Sequence, residues 1–315
     1  MENEFDFIKN KLKPLTFKKN EARGLSDDCA YFDNLNDLVV SVDTSIEGIH
    51  IPLGTDLAIQ SRRAVLRALS DLATFGSSPI CVFVAMTLPN SSQQIDFDKI
   101  TQGLRKALIE YDIFLAGGDI TKHEGLAIFS ITVFGDGANK ELGRNKAKAE
   151  DLIVVSGPIG DSFLGLELLK NKISINSLED KNLINKFLIP DPKIQLGKKI
   201  KSYATSIIDI SDGLLSELHH LSENSEVGAN IYIKDIPFSP AASSYLEADL
   251  YSYIDLITGG DDYELLYTVD PKNIDLIDDD SFIIGKIVSD KKINLYSIDN
   301  NIIDINNSSF GYKHF

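Results

Sequence analysis

Aspartates recur in this chain where an apolar run gives way to glycine or hydroxyl residues. Asp27 and Asp28 stand in GLSDDCAYF, Asp43 in VVSVDTS, Asp119 in LAGGDIT, Asp209 and Asp212 in IIDISDG, and Asp261 and Asp262 in ITGGDDYEL. Asp71, in RALSDLATFG, adds an acid inside a helical pattern. Carboxylates that converge raise one another's pKa unless a cation compensates. Mg2+ suits that role because it takes oxygen ligands and keeps waters that bridge to phosphates. Any one of these aspartates is equally at home in a turn or at a helix N-cap, where its side chain satisfies free backbone N–H groups. Asp71 sits between Leu69 and Leu72, where an unpaired carboxylate is costly to bury, unless it marks a solvated helix edge.

Other residue types fit phosphate chemistry. Without Cβ atoms, Gly117 and Gly118 let backbone N–H groups approach an anion closely, or simply form a tight turn after a strand. Arg144, in LGRNKAK, offers a guanidinium that can bind phosphate oxygens bidentately, or decorates a basic loop. His50 follows the Asp43 run closely enough to face the same site, or is structural.

Charge and composition exclude several classes. The chain has 315 residues, 43% hydrophobic and 25% charged, with a formal net charge of −16. No broad positive field is available for nucleic acid or an anionic membrane, so neither is expected as a partner. Small phosphorylated ligands remain open, since carboxylates meet phosphates through bridging Mg2+. Cys29 and Cys81 are the only cysteines, too few for a disulfide framework or a tetrahedral zinc site. The charged start MENEFDFIKNKLK lacks the apolar core of a signal peptide, and a cytoplasmic location is expected. There is no G-x-x-x-x-G-K-[ST] loop, no kinase-type H-R-D and D-F-G pair and no G-x-S-x-G.

Those residues must be positioned by alternating strands and helices. LVVSVDTS, ICVFVAMTL, IFLAGGD and LAIFSITVFGDG read as strands, with helices at DLAIQSRRAVLRALSDLATFG, stopping at Gly76, and IDFDKITQGLRKALIEYD between them. In the first helix Leu57, Ala58, Ala64, Val65, Ala68, Leu69 and Leu72 hold helical spacing. The polar, basic stretch NKELGRNKAKAE marks a domain boundary. Beyond it come a strand in DLIVVSGPIG, a helix in DSFLGLELLKN, the IIDISDG motif and further strands. Ser211 or Asp212 is expected to start the helix that buries Leu214, Leu215 and Leu218. The pattern predicts an α/β (α+β) protein of two layered domains, 1–138 and 139–315.

The ordered set SDDCA, SVDTSIEGIHI, LSDLATFGSSP, GGDIT, GRNKAK, IDISDGLLSEL, GGDDYEL and GYKHF resembles the bacterial thiamine-monophosphate kinase family, within the superfamily of aminoimidazole-ribonucleotide synthetase. The resemblance runs from about Gly24 to Phe315. It implies two α/β domains, the first binding ATP and metal and pairing through its sheet into a homodimer, the second completing the nucleotide and substrate site. It implies transfer of the γ-phosphoryl group of ATP to thiamine monophosphate, with several Mg2+ ions. By position, Asp28, Asp43, Asp71, Asp119, Asp209 and Asp212 match metal-binding aspartates, and Ser41 and Val42 match oxygen donors, Val42 through its backbone carbonyl. Gly118, Asp119, Arg144 and Ser211 match nucleotide contacts. His50, Asp261 and Tyr312 match positions near the thiamine phosphate, and Asp119 and Asp212 carry the catalytic role. Ser26 stands where the family usually has glycine, and Asp261 where glutamate is common. Selenophosphate synthesis is not expected, because the first cysteine is Cys29, inside the metal motif. The hydrogenase-maturation role is not expected either, since the sequence ends GYKHF. A non-catalytic acidic domain that binds divalent ions is the reading from another class.

Overall fold

The structure is a computed structural model that describes residues 4–304 apart from 26–28, 34, 171 and 173–176. It divides into two compact units, Met1–Leu72 with Ser77–Ala138, and Ala73–Gly76 with Asn139–Phe315.

The first unit opens with a short helix α1 (Glu4–Phe7) and a run of tight helical turns to Leu25. Strand β1 (Val39–Ile46), helix α2 (Leu57–Ala73), β2 (Ser78–Pro89), α3 (Gln94–Glu110), β3 (Phe114–His123) and β4 (Ile128–Asp136) follow. The sheet order is β1-β4-β2-β3. Strands β2 and β3 are parallel, which requires a crossover, and α3 supplies it. Alternation sorts the sheet's two faces. Val82, Val84, Met86 and Leu88 of β2 are buried together with Ala64, Val65, Ala68, Leu69 and Leu72 of α2. On the other face Val40 and Val42 of β1 are 50% and 64% exposed.

In the second unit the order is β5 (Leu152–Val155), α4 (Asp161–Leu169), α5 (Leu178–Leu188), α6 (Ile194–Ile200), β6 (Ala204–Asp209), α7 (Leu214–Ser225) and β7 (Gly228–Tyr232). Then come α8 (Pro240–Glu247), α9 (Tyr253–Thr258), β8 (Leu265–Val269), β9 (Phe282–Val288), β10 (Ile293–Tyr296) and β11 (Ile302–Ile303). Its mixed sheet runs β11-β10-β7-β9-β5-β8-β6. Every residue of β8 is buried, as its place between two strands and its LLYTV sequence require. Leu214, Leu215, Leu218 and Leu221 of α7 join Ile208, Ile231 and Leu266 in one core. The α/β class with two sheets is thus observed.

Three local readings are corrected. Asp43 and Asp119 lie inside β1 and β3 rather than at strand ends, because ladder pairing continues to Ile46 and His123. The apolar run before Asp261 is helix α9, not a strand, and a capping box between Ser252 and Asp255 starts it. Neither Ser211 nor Asp212 caps α7; its N-cap is Gly213, at φ 106°.

Candidate active site

In the first unit the β1 period of two places Ser41 and Asp43 on the same face. Helix α2 presents Arg67 and Asp71, four residues apart and so on one side of it, to that face. Ser41 Oγ donates a hydrogen bond to Asp71 Oδ2, and Arg67 Nη2 lies 3.3 Å from Asp43 Oδ2. Asp71 is therefore partnered at the end of α2. His50 lies just past β1, and its Nδ1 accepts the Ile46 N–H at 3.1 Å. That bond keeps the neutral ring's proton on Nε2.

Asp119 is on the opposite face. The register aligns Asp43 with Ile131, Val84 and Gly118, so Asp119, one residue on, points the other way. Three strand steps separate β1 from β3, roughly 14 Å, so one ion cannot take both carboxylates. Gly118 and Asp119 line a cavity of about 470 Å3 over the open face, with Leu12, Ala22, Cys29 and Phe83 among its other walls. A Cβ on Gly118 would lie 2.0 Å from the Val84 carbonyl oxygen. Glycine is needed there for strand contact, not for the turn considered from sequence. The Val42 side chain points into solvent, which leaves only its backbone carbonyl as a donor.

The second unit joins two acidic loops. Where β6 and β8 end, backbone pairing continues: Ile210 N donates to Glu264 O at 2.7 Å, Tyr263 N to Ile210 O at 2.8 Å, and Asp261 N to Ser211 O at 2.7 Å. Asp261 and Tyr263 hold left-handed φ values of 71° and 53°, a conformation that costs energy in non-glycine residues and clusters at functional sites. Tyr263 Oη donates to Asp261 Oδ1 at 3.0 Å. Asp262 points inward, accepting the Gly160 and Ser162 N–H groups at 2.8 and 3.2 Å. Burial pushes its pKa well above the carboxylate range. It fixes the start of α4, while the other acid of this loop, Asp261, has its N–H bonded to the Ser211 carbonyl.

The residue missed from sequence is Glu217. Its Oε1 accepts the Asp212 N–H at 3.1 Å and the Ser211 hydroxyl at 3.4 Å. It is buried on α7, and burial, then the charge of Asp209 and further that of Asp212, push its carboxyl up to about 8. Arg144 opposes that rise. The Arg144 carbonyl accepts from Ser225 Oγ at 3.2 Å, which anchors the Arg144 loop to α7. The signal available in sequence was an acid on the helical face that carries Leu214, Leu218 and Leu221.

Asp209, Ser211, Asp212, Asp261, Arg144 and Glu217 thus belong to one neighbourhood of the second unit. Ser41, Asp43 and Asp71 share another in the first unit, with Asp119 on the far face of the same sheet. Asp28 and Tyr312 lie outside the described residues. The donor sets fit Mg2+: they are carboxylate and hydroxyl oxygens, and in the second unit Asp209 and Asp212 crowd a Glu217 already lifted by burial. Among the described residues no three His, Cys, Asp or Glu side chains form a complete cage.

Residues 26–136 match the family described as AIR synthase related protein, N-terminal domain. The chain is 35% identical over 278 residues to thiamine-monophosphate kinase of Buchnera aphidicola subsp. Schizaphis graminum, covering 86% of this chain and 84% of that protein. The crystal structure of thiamine-monophosphate kinase from Stenotrophomonas maltophilia superposes with a TM-score of 0.82 at 27% identity, covering 92% of this chain and 95% of the other. The structure of AaThiL complexed with AMPPCP and TMP superposes with a TM-score of 0.80 at 27% identity, covering 99% and 97%.

Proposed function

This chain belongs to the thiamine-monophosphate kinase family, and we propose that it phosphorylates thiamine monophosphate with ATP, giving thiamine diphosphate and ADP. An oxygen of the acceptor phosphate attacks the γ-phosphorus, and the bond to the β–γ bridging oxygen breaks, leaving that oxygen on ADP. The acceptor is already anionic, so no strong general base is needed. The obstacle is repulsion between two polyanions. Mg2+, when bound, supplies charge neutralisation and alignment for in-line transfer.

The observation that carries this reading is the gathering of Asp209, Asp212 and the buried Glu217, whose carboxylate accepts the Asp212 N–H at 3.1 Å; burial first, and then the charges of Asp209 and Asp212, push the Glu217 carboxyl up to about 8. Such a cluster suits a cation far better than a bare phosphate. Asp209 and Asp212 would hold metal in the second unit. In the first unit Asp43, Asp71 and Ser41 would do so on one face, and Asp119 separately on the other. The Val42 carbonyl and Asp28 complete the proposed donors. Gly118, Asp119, Arg144 and Ser211 contact the nucleotide, and Arg144 brings the positive charge that a phosphate oxygen needs. His50 presents Nε2–H, and with Asp261 and Tyr312 it addresses the thiamine phosphate. Asp119 and Asp212 are the acids on which transfer depends most.

The exposed Val40 and Val42 support burial of the open sheet face against a second copy, giving a homodimer. Among the described residues no helix is long and apolar enough to cross a membrane, and we place the enzyme in the cytoplasm. The direct test is chromatography of the purified chain incubated with ATP, Mg2+ and thiamine monophosphate. Thiamine diphosphate is the expected product, and its absence beside an active control would refute the assignment.

A further inference from the structure

The turns that wall the cavity over Asp119 carry a second feature one residue out of phase. Ile8 and Leu12 line that cavity, whereas Lys9 and Lys13 line a separate open groove of about 1260 Å3. Lys18, Lys19 and Arg23 line the same groove, together with Tyr31 and Phe32. Lys9, Lys13, Lys18 and Lys19 make no ion pair among the described residues. Their neighbour Lys11 instead pairs with Asp98 at 2.5 Å. Three acids also line the groove, Glu21, Asp33 and Asp136, and Asp136 Oδ1 is engaged by the Asn36 N–H at 2.9 Å. Among the described residues, five cations against three acids leave a local excess of two positive charges on a chain whose net charge is −16.

The backbone holds this arrangement at a cost. Phe17, Lys18 and Arg23 have left-handed φ values of 45°, 61° and 50°, each disfavoured for a residue with a Cβ. The buried Thr16 hydroxyl accepts the Lys18 N–H at 3.2 Å and fixes the bend. Arg23 lies 5.3 Å over the Tyr31 ring, a cation–π contact between two residues that line the groove. Lysines on flexible stems recognise charge rather than a planar acid. A long nucleic acid would meet the acidic remainder of the surface. A short, highly charged chain would not.

We infer that this groove is a metal-independent binding site for a polyphosphate chain, the anion class shared by nucleoside triphosphates and inorganic polyphosphates. Its lining residues are separate from Asp43, Asp71, Asp119, Asp209 and Asp212, which need a divalent cation before they attract phosphate. The groove would raise the local concentration of ATP beside an otherwise repelling protein.

Calorimetric titration of the full chain in EDTA, at low salt, tests this with two probes, inorganic tripolyphosphate and ATP. Removing the metal weakens the carboxylate sites, and the lysine changes below then read the groove by itself. Binding should weaken with added salt and fall roughly tenfold or more when Lys9, Lys13, Lys18 and Lys19 are all changed to Gln, at an unchanged melting temperature. Should that variant fail to fold, the pair Lys9→Gln and Lys13→Gln carries the test. Binding of tripolyphosphate and ATP alike supports a site that reads the phosphate chain. A clear preference for ATP supports it with a nucleotide as the ligand. Absence of binding by both probes, or binding untouched by the lysine changes, overturns it. Because the readout is binding without metal, its failure leaves the kinase assignment standing.

Discussion

Glu217 Oε1 sits 3.1 Å from the backbone nitrogen of Asp212 and accepts its N–H. A buried acid inside a helix thus holds the loop that carries the two second-unit metal candidates. The loop's position and its charge are tied to the same side chain.

This relationship fixes a pH dependence. The Glu217 carboxyl is raised from 4.5 to about 8 in the folded chain. Between those values the folded chain keeps a proton that the unfolded chain has lost. Stability is therefore intact below 4.5 and declines as pH rises to about 8, by at most ~1.4 kcal/mol per pH unit from this group. Thermal melts in EDTA should show that decline in the natural protein and a flatter curve in Glu217→Gln, which keeps an acceptor without the charge. Equal slopes in the two proteins would remove Glu217 from this role.

Asp212→Asn leaves the loop's backbone bonds in place and removes one charged donor. Turnover should drop by roughly a hundredfold or more, with the melting temperature unchanged or raised because one repulsion on Glu217 is relieved. Natural turnover in this variant would show that Asp212 holds no metal.

Lys193 Nζ lies 3.0 Å from Glu264 Oε1, and Ser156 Oγ donates to the other carboxylate oxygen. Removing the lysine strands a buried charge, so Lys193→Met should cost about 3 kcal/mol in urea unfolding. The double change Lys193→Met with Glu264→Gln should restore most of that loss. A silent single variant would mean that the pair does not hold the Glu264 segment.

Gly118→Ala puts a Cβ 2.0 Å from the Val84 carbonyl oxygen. The strands must part beside Asp119, with a loss of about 1–3 kcal/mol and a larger KM for ATP. Unchanged stability and KM would contradict the close strand contact.

Cys81 is buried, and burial first, then Glu21, lifts its thiol to about 12; Cys29 is exposed. A thiol reagent at mildly alkaline pH should modify one cysteine quickly and the second only on unfolding. Two equally fast reactions would contradict the packing of β2.

The sequence made the helices and most strands readable because burial imposes a period. Leu69 and Leu72 of α2, and Val82 and Val84 of β2, are apolar for the reason they are buried. Strand ends were less readable. Asp43 and Asp119 look like terminators, yet edge strands of a sheet with one open face keep pairing through polar residues. Helix α9 was hidden by its apolar YIDLIT run, although Ser252 and Asp255 signal its start. The aspartates of the site were legible as residue types, and the partition of Asp43 and Asp119 onto opposite faces was not, because it depends on the register of four strands. Glu217 escaped notice because its significance comes from the loop it reaches back to.

Transfer of label from [γ-32P]ATP tests the central claim most directly. With Mg2+ and thiamine monophosphate, the label should appear in the terminal phosphate of thiamine diphosphate, in step with unlabelled ADP. Label found only in inorganic phosphate, or none in thiamine diphosphate, would contradict it.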